Sequence, residues 1–235
     1  MNDPPTIRSP SLLQTLQALL ERTYRMDTGI ADIGRFVIGD QGYRLFYGAA
    51  VVPTSRIARS AITGARVLVR DGPGPISARI YYPDTLIREL EEAPPSRGLG
   101  DRNIDAFAAF VEELDHFLLI AERARLGRPI SLLELEMHAN VTKYLVGALF
   151  LAASRKGMSR TPLDPEGRLW LLWHLFDKIR FAEPDPDVQT RYRDASRFAR
   201  RFLQRLEVEP SASARLARLR AFHDSTHQEK LASLS

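Results

Sequence analysis

From Pro83 almost to the last residue, apolar side chains recur every three or four positions, which is the period of an amphipathic helix. This pattern constrains the 235-residue chain more than any other feature. It predicts helices over about 104–124, 132–156, 165–182, 187–206 and 213–229. The connections between them are short, which favours antiparallel neighbours. The C-terminal part is therefore predicted to be a bundle of four to five helices.

Start signals support three of these helices. Ser131 and Glu134 have the spacing of a capping box, in which the two side chains and two backbone N–H groups bond reciprocally. Asp164 and Asp185 each precede a proline, which is favoured at the first helical position because its missing N–H would have no acceptor there. We therefore expect Ser131, Asp164 and Asp185 to cap helices.

The first ninety residues carry shorter, strand-like runs. An opening helix is predicted from Ser9 to about Tyr24, and a short helix at 55–63. Two hairpins are predicted, one from FVI (36–38) and YRLFY (43–47), the other from ARVLVR (65–70) and ISARIYY (76–82). The predicted fold class is α+β and mainly α, with a small N-terminal antiparallel sheet and flanking helices followed by the C-terminal bundle.

The loop APPSRGLGD at 93–101 is the clearest boundary signal, because proline and glycine interrupt regular structure. It predicts a unit at 1–92, made of the N-terminal helix and the antiparallel hairpins, and a helical bundle at 102–235. A single continuous domain is the alternative.

Composition removes several classes of function. The chain has no cysteine, which excludes disulfides, thiolate metal sites and cysteine nucleophiles. Its first residues, MNDPPTIRSP, lack the basic and then apolar pattern of a secretory signal. The longest apolar run, YLVGALFLAAS at 144–154, is about half of the roughly 20 residues that span a bilayer. We therefore expect a cytoplasmic protein with no membrane span.

Three predicted helices each bring a histidine and a carboxylate to one side. The pairs are Glu113 with His116, Glu134 with His138, and His174 with Asp177, at spacings of three or four residues. On the first of these helices, a different line through Asp105, Glu112, Asp115 and Glu122 is predicted to face outward. His223 and His227 lie in a polar terminal segment and are predicted to be solvated.

Buried ionisable groups need partners, and a cation is one solution. Helical bundles hold divalent metals through histidine and carboxylate side chains on facing helices. The Glu-x-x-His spacing at 113–116 resembles that of ferritin-like carboxylate proteins, and the resemblance is limited to these four residues. The sequence predicts a metal-binding protein, an oxidoreductase or hydrolase that uses Fe, Mn or Zn. Glu113, His116, His138 and His174 are the predicted ligands, and Glu134 and Asp177 are bridging or supporting carboxylates. There is no nucleotide-binding motif.

Two alternatives stand beside the metal site. The same histidines and acids can be structural polar pairs that fix the packing of helices, and Glu134 already has a predicted capping role. The protein can also be a non-catalytic interaction or assembly module that presents an arginine face to an acidic protein partner or to a second copy of the chain. That face consists of Arg191, Arg193, Arg197, Arg200, Arg201, Arg205, Arg215, Arg218 and Arg220. Nucleic-acid binding is disfavoured, because no recognised motif accompanies the charge.

Overall fold

A computed structural model describes residues 10–47, 64–70, 77–154, 163–178 and 185–234. These residues form a mainly helical fold with one small sheet, which confirms the predicted α+β class. The helices are α1 (Leu12–Tyr24), α2 (Asp40–Tyr47), α3 (Asp84–Glu92), α4 (Ile104–Arg125), α5 (Leu132–Ser154), α6 (Pro165–Leu172), α7 (Pro186–Glu207), α8 (Ala212–Asp224) and α9 (His227–Leu234). The strands are β1 (Val37–Ile38), β2 (Arg66–Arg70) and β3 (Ser77–Tyr81). Short 3-10 helices lie at Ile33–Phe36 and Pro95–Arg97.

The sheet is mixed, with the order β1-β3-β2. Strands β2 and β3 are antiparallel, with Val67 opposite Ile80, so the second predicted hairpin is confirmed. Strand β1 runs parallel to β3, with Val37 also opposite Ile80. The prediction of a purely antiparallel sheet was therefore wrong for β1, which reaches β3 through a crossover rather than a tight turn.

The first predicted hairpin was wrong, because residues 43–47 belong to helix α2. Tertiary contacts fix the start of this helix: the backbone N–H of Asp40 donates to Asp84 Oδ1 at 3.1 Å. The Tyr81 hydroxyl donates to Asp40 Oδ1 at 2.7 Å, which joins α2 to strand β3. A short run of aromatic and polar residues fits the period of a strand as well as that of a helix, and these contacts favour the helix. The predicted helix at 55–63 lies outside the described residues.

The predicted opening helix and the C-terminal helices lie close to their predicted positions, with three adjustments. Helix α1 begins after Ser11, which forms a capping box with Gln14. The helix predicted at 165–182 is α6 followed by a π-helical turn at Trp173–Asp177. The helix predicted at 213–229 divides into α8 and α9, because Ser225 has an extended backbone. Ser131, Asp164 and Asp185 all accept a backbone N–H at a helix start, as predicted.

Helix α4 is the central element, with buried residues on nearly every side from Ile104 to Arg123. One buried apolar cluster joins Val67 and Ile80 of the sheet to Leu114 and Leu118 of α4. Polar side chains on α4 therefore lie in the interior. The division at 93–101 remains a prediction. None of the described helices combines the length and apolar character required to cross a bilayer.

Candidate metal centre

Three ionisable side chains of α4 meet in the interior: Glu112, Glu113 and His116. Glu113 and His116 have no exposed surface, and Glu112 is 8% exposed. Residues three and four apart share one side of a helix, and the adjacent Glu112 is long enough to reach the same space. The three residues offer ligand atoms that all lie within 4.8 Å of one another, so they can hold a metal ion.

Helix α5 supplies two more charged groups to this cluster. His116 Nδ1 lies 3.7 Å from Glu113 Oε2, and His116 Nε2 lies 3.9 Å from Glu136 Oε2. The ammonium of Lys143 donates to Glu112 Oε2 at 2.6 Å. The cluster thus contains three carboxylates, one imidazole and one ammonium group. We call these five residues the glutamate–histidine cluster.

Several polar atoms of this cluster are buried and have no hydrogen-bond partner among the residues that the structure describes. They are both carboxylate oxygens of Glu113, both ring nitrogens of His116 and Oε1 of Glu136. Buried polar atoms are nearly always hydrogen-bonded, since the lost contact with water otherwise costs about 1–3 kcal/mol each. Five such atoms in one cluster therefore indicate a bound ligand or bound protons.

Burial and neighbouring charge perturb the acid–base behaviour of the cluster. Burial raises the pKa of Glu113, although His116 opposes the change. Burial also raises the pKa of Glu136, to about 7. For His116, burial lowers the pKa, but the nearby carboxylates of Glu113 and Glu136 outweigh it and raise the pKa to about 9. Without a metal ion, protons therefore supply part of the charge balance.

The predicted ligand His138 belongs to a different buried network. Its Nδ1 donates to Asp115 Oδ2 at 2.8 Å, and the Thr142 hydroxyl donates to Asp115 Oδ1, also at 2.8 Å. The Tyr24 hydroxyl lies 2.8 Å from the Thr142 hydroxyl. Burial lowers the pKa of His138, whereas its neighbour Asp115 opposes that change. Both ring nitrogens are occupied, because Nε2 lies 3.1 Å from His223 Nδ1.

Glu134 is paired with cations rather than with the cluster. Its Oε1 accepts from Lys230 Nζ at 2.5 Å and from Arg123 Nη2 at 3.4 Å, and all three side chains are buried. The Glu134 N–H is capped by Ser131 Oγ at 3.1 Å, so half of the predicted capping box is present.

The last predicted pair, His174 and Asp177, lies in the π-helical turn. His174 Nδ1 is 2.9 Å from the carbonyl oxygen of Trp170, and its Nε2 is 3.1 Å from Asp101 Oδ1. Asp177 forms a half-exposed ion pair with Arg200. The structure thus brings Glu113 and His116 together and places the other four predicted residues in separate contacts.

Glu112, Glu136 and Lys143 were missed by the sequence analysis. Glu112, Asp115 and Glu122 were predicted to face outward, and this was wrong because α4 is surrounded by other elements. The prediction that His223 is solvated was also wrong, since it is 1% exposed. The available signal was the acidic doublet 112–113 between Phe110 and Phe117, since adjacent acids flanked by aromatic residues are unusual on a solvated face.

Among the residues that the structure describes, the glutamate–histidine cluster contains the one group of three side chains that can hold a metal ion. Its donors are carboxylate oxygens and an imidazole, which suit iron, manganese and zinc. Comparisons with known proteins gave no matching family model, no matching curated protein and no matching solved structure.

Proposed function

We propose that this chain is a metal-binding protein that holds a divalent iron, manganese or zinc ion through Glu112, Glu113 and His116. The observation that carries the proposal is the set of buried ligand-type atoms of Glu113 and His116 that lack a hydrogen-bond partner in the described part of the chain. A divalent ion would give the Glu113 carboxylate and Nδ1 of His116 a partner inside the protein.

The charge of the cluster supports the same proposal. Glu112, Glu113 and Glu136 bring three negative charges when ionised, whereas the ammonium of Lys143 brings one positive charge. A divalent ion bound to neutral His116 would balance the remaining two charges. Buried charges are tolerated when they are paired or coordinate a metal.

Glu136 has the position of a supporting carboxylate. It faces Nε2 of His116, whereas Glu113 faces Nδ1. Metal-binding histidines usually direct their second ring nitrogen to a carboxylate, which fixes the tautomer and the orientation of the ring. In this proposal, Nδ1 of His116 is the ligand atom and Glu136 orients the ring.

The burial of the cluster limits the chemistry that we propose for it. A metal ion with oxygen and imidazole ligands can activate water for hydrolysis, and iron or manganese can also support redox chemistry. Because Glu113 and His116 have no exposed surface, only small reactants such as water or dioxygen would reach them. The proposal therefore covers a metal-dependent hydrolase or oxidoreductase.

The test is the metal content of the full chain purified without an affinity tag, followed by calorimetric titration with Mn²⁺, Fe²⁺ and Zn²⁺. We expect one ion per chain in the unaltered protein and a large loss of affinity in Glu113→Gln and His116→Gln. Asp177→Asn and His174→Gln are matched controls, because they make the same chemical changes at predicted ligands that lie outside the cluster. Absence of stoichiometric metal, or equal losses in the controls, would overturn the proposal.

A further inference from the structure

A second polar site lies at one end of the bundle, where the turn between α4 and α5 meets the turn between α8 and α9. The two turns enclose a cavity of about 600 Å³. Pro129 and Ile130 give it an apolar wall, and Arg128, Ser131 and His227 line it as polar groups. The volume is within the range of small-molecule sites. We call this space the end cavity.

Ser131 and His227 contact each other in the end cavity. Ser131 Oγ lies 3.0 Å from Nδ1 of His227, although the two residues are 96 positions apart in the chain. The same Oγ accepts the backbone N–H of Glu134 at 3.1 Å. A hydroxyl can accept one hydrogen bond and donate another, so Ser131 can donate to Nδ1 when this nitrogen of the imidazole carries no hydrogen. A serine that donates to an imidazole has the arrangement of a nucleophile and its general base.

The start of α5 adds a favourable electrostatic environment. Ser131 precedes the first residue of this 23-residue helix. The N–H groups of Leu132 and Leu133 belong to the first turn, where no intrahelical acceptor is available. These N–H groups and the positive end of the helix dipole can stabilise negative charge that develops on an oxygen beside Ser131.

We propose that Ser131 and His227 form a catalytic dyad that hydrolyses esters of small carboxylic acids in the end cavity. The apolar wall of Pro129 and Ile130 suits a short acyl chain. This site shares no residue with the glutamate–histidine cluster and does not depend on a bound metal ion.

The reaction is a conventional two-step acyl transfer. Ser131 Oγ forms a bond to the carbonyl carbon of the ester, and its proton moves to Nδ1 of His227. The carbonyl electron pair moves to the oxygen and returns as the bond to the alcohol oxygen breaks, and His227 gives its proton to that leaving alcohol. Water then attacks the acyl-serine, His227 takes a proton from this water, and the carboxylic acid leaves as Ser131 recovers its hydrogen.

Covalent labelling of the full chain by a fluorophosphonate, together with hydrolysis of p-nitrophenyl acetate, tests the proposal. We expect one label per chain on the peptide that contains Ser131. Ser131→Asn should abolish labelling while the helix remains capped, because asparagine is as good an N-cap as serine. His227→Gln should lower the rate of hydrolysis about 100-fold, the size expected for loss of a general base.

Ser233→Ala is the matched control, because Ser233 is not among the residues that line the end cavity and its hydroxyl donates to the carbonyl oxygen of Lys230 at 2.8 Å. It should label and hydrolyse like the unaltered chain. Labelling that is absent, or that persists in Ser131→Asn, would overturn the proposal. A rate of hydrolysis that is the same in His227→Gln as in the unaltered chain would overturn it too, since the base would then have no role.

Discussion

His138 and His223 meet nitrogen to nitrogen in the interior, with Nε2 of His138 3.1 Å from Nδ1 of His223. The outer nitrogens of the pair face carboxylates, since His138 Nδ1 is 2.8 Å from Asp115 and His223 Nε2 is 2.8 Å from Glu122. Carboxylates accept, so His138 Nδ1 carries the hydrogen that it shares with Asp115, and one further hydrogen lies between the two rings. The pair therefore links α4, α5 and α8 through buried polar contacts.

This relationship predicts that His223→Ala is strongly destabilising. The change leaves Nε2 of His138 and the carboxylate of Glu122 buried without their partner. We expect the free energy of unfolding to fall by about 3 kcal/mol, because each buried polar group left without a partner costs about 1–3 kcal/mol. Urea unfolding followed by circular dichroism measures the change.

Two further variants make the reason for that loss testable. His223→Asn can place an amide nitrogen near the position of Nδ1, so we expect it to lose less stability than His223→Ala. Asp177→Ala removes a half-exposed ion pair with Arg200 and should cost less than about 1 kcal/mol. Equal losses in His223→Ala and His223→Asn would contradict the importance of the contact with His138.

The helices and the second hairpin were predictable because their signals are local. Each long helix has a repeated apolar period, and Asp164 and Asp185 cap helices through residues two or three positions ahead. The hairpin of β2 and β3 is specified by alternation on both sides of a glycine- and proline-rich turn sequence. None of these signals depends on what packs against the element.

The wrong predictions concern positions whose structure or burial depends on residues far away in the chain. Helix α2 begins through contacts with Asp84 and Tyr81, which lie about forty positions further along the chain. A helical projection also assumes one solvated side, and α4 has none over most of its length, so Glu112 was placed outside. His223 is buried because α8 packs against α1 and α7, and no local pattern shows this. Two of the five residues of the glutamate–histidine cluster, Glu113 and His116, were therefore predictable.

The perturbed groups of the glutamate–histidine cluster predict that the metal-free protein loses stability as the pH rises. The pKa of Glu136 is raised from 4.5 to about 7, so its protonated form is favoured in the folded state and stability falls across that interval. The pKa of His116 is raised from 6.5 to about 9, so its stabilising charge is complete below pH 6.5 and is lost as the pH passes through 9. Urea unfolding in the presence of a chelator at pH 5, 7 and 9 measures the decline.

Glu136→Gln and His116→Gln provide the comparison for this pH dependence. Glutamine does not titrate, so each variant should lack one part of the decline in the free energy of unfolding. Glu136→Gln should lack the part below about pH 7, and His116→Gln the part between about pH 6.5 and 9. A stability of the unaltered chelated protein that rises from pH 5 to 9 would contradict the assigned directions of both pKa changes.

The arginine face predicts weak or absent binding of nucleic acid. Arg197 pairs with Asp194 at 2.9 Å, and Arg200 and Arg218 pair with Asp177 and Glu209. Arg201 donates to the carbonyl oxygen of Leu234 at 2.8 Å, which ties α7 to the end of α9. Three of the nine arginines of this face are thus paired with acidic side chains of the same chain. We expect no electrophoretic shift of a 30-base-pair duplex at about 50 mM salt, whereas a shift that weakens steeply with salt would favour an interface with phosphates.

Lys143 predicts a direct link between charge and metal affinity. Its ammonium lies 2.6 Å from the Glu112 carboxylate, and Lys143 is 7% exposed. Lys143 therefore competes with a metal ion for one of the proposed ligand side chains. Lys143→Met keeps the length and removes the charge, which frees Glu112 and leaves the cluster more negative. We expect the affinity for Zn²⁺ to rise about tenfold in calorimetric titration, because one competing buried charge is removed.

Lys178→Met is the matched control, since Lys178 pairs with Asp105 at 2.7 Å outside the cluster and should leave the affinity unchanged. Affinity that falls in Lys143→Met while the variant remains folded would show that Lys143 organises the cluster rather than competing with the ion.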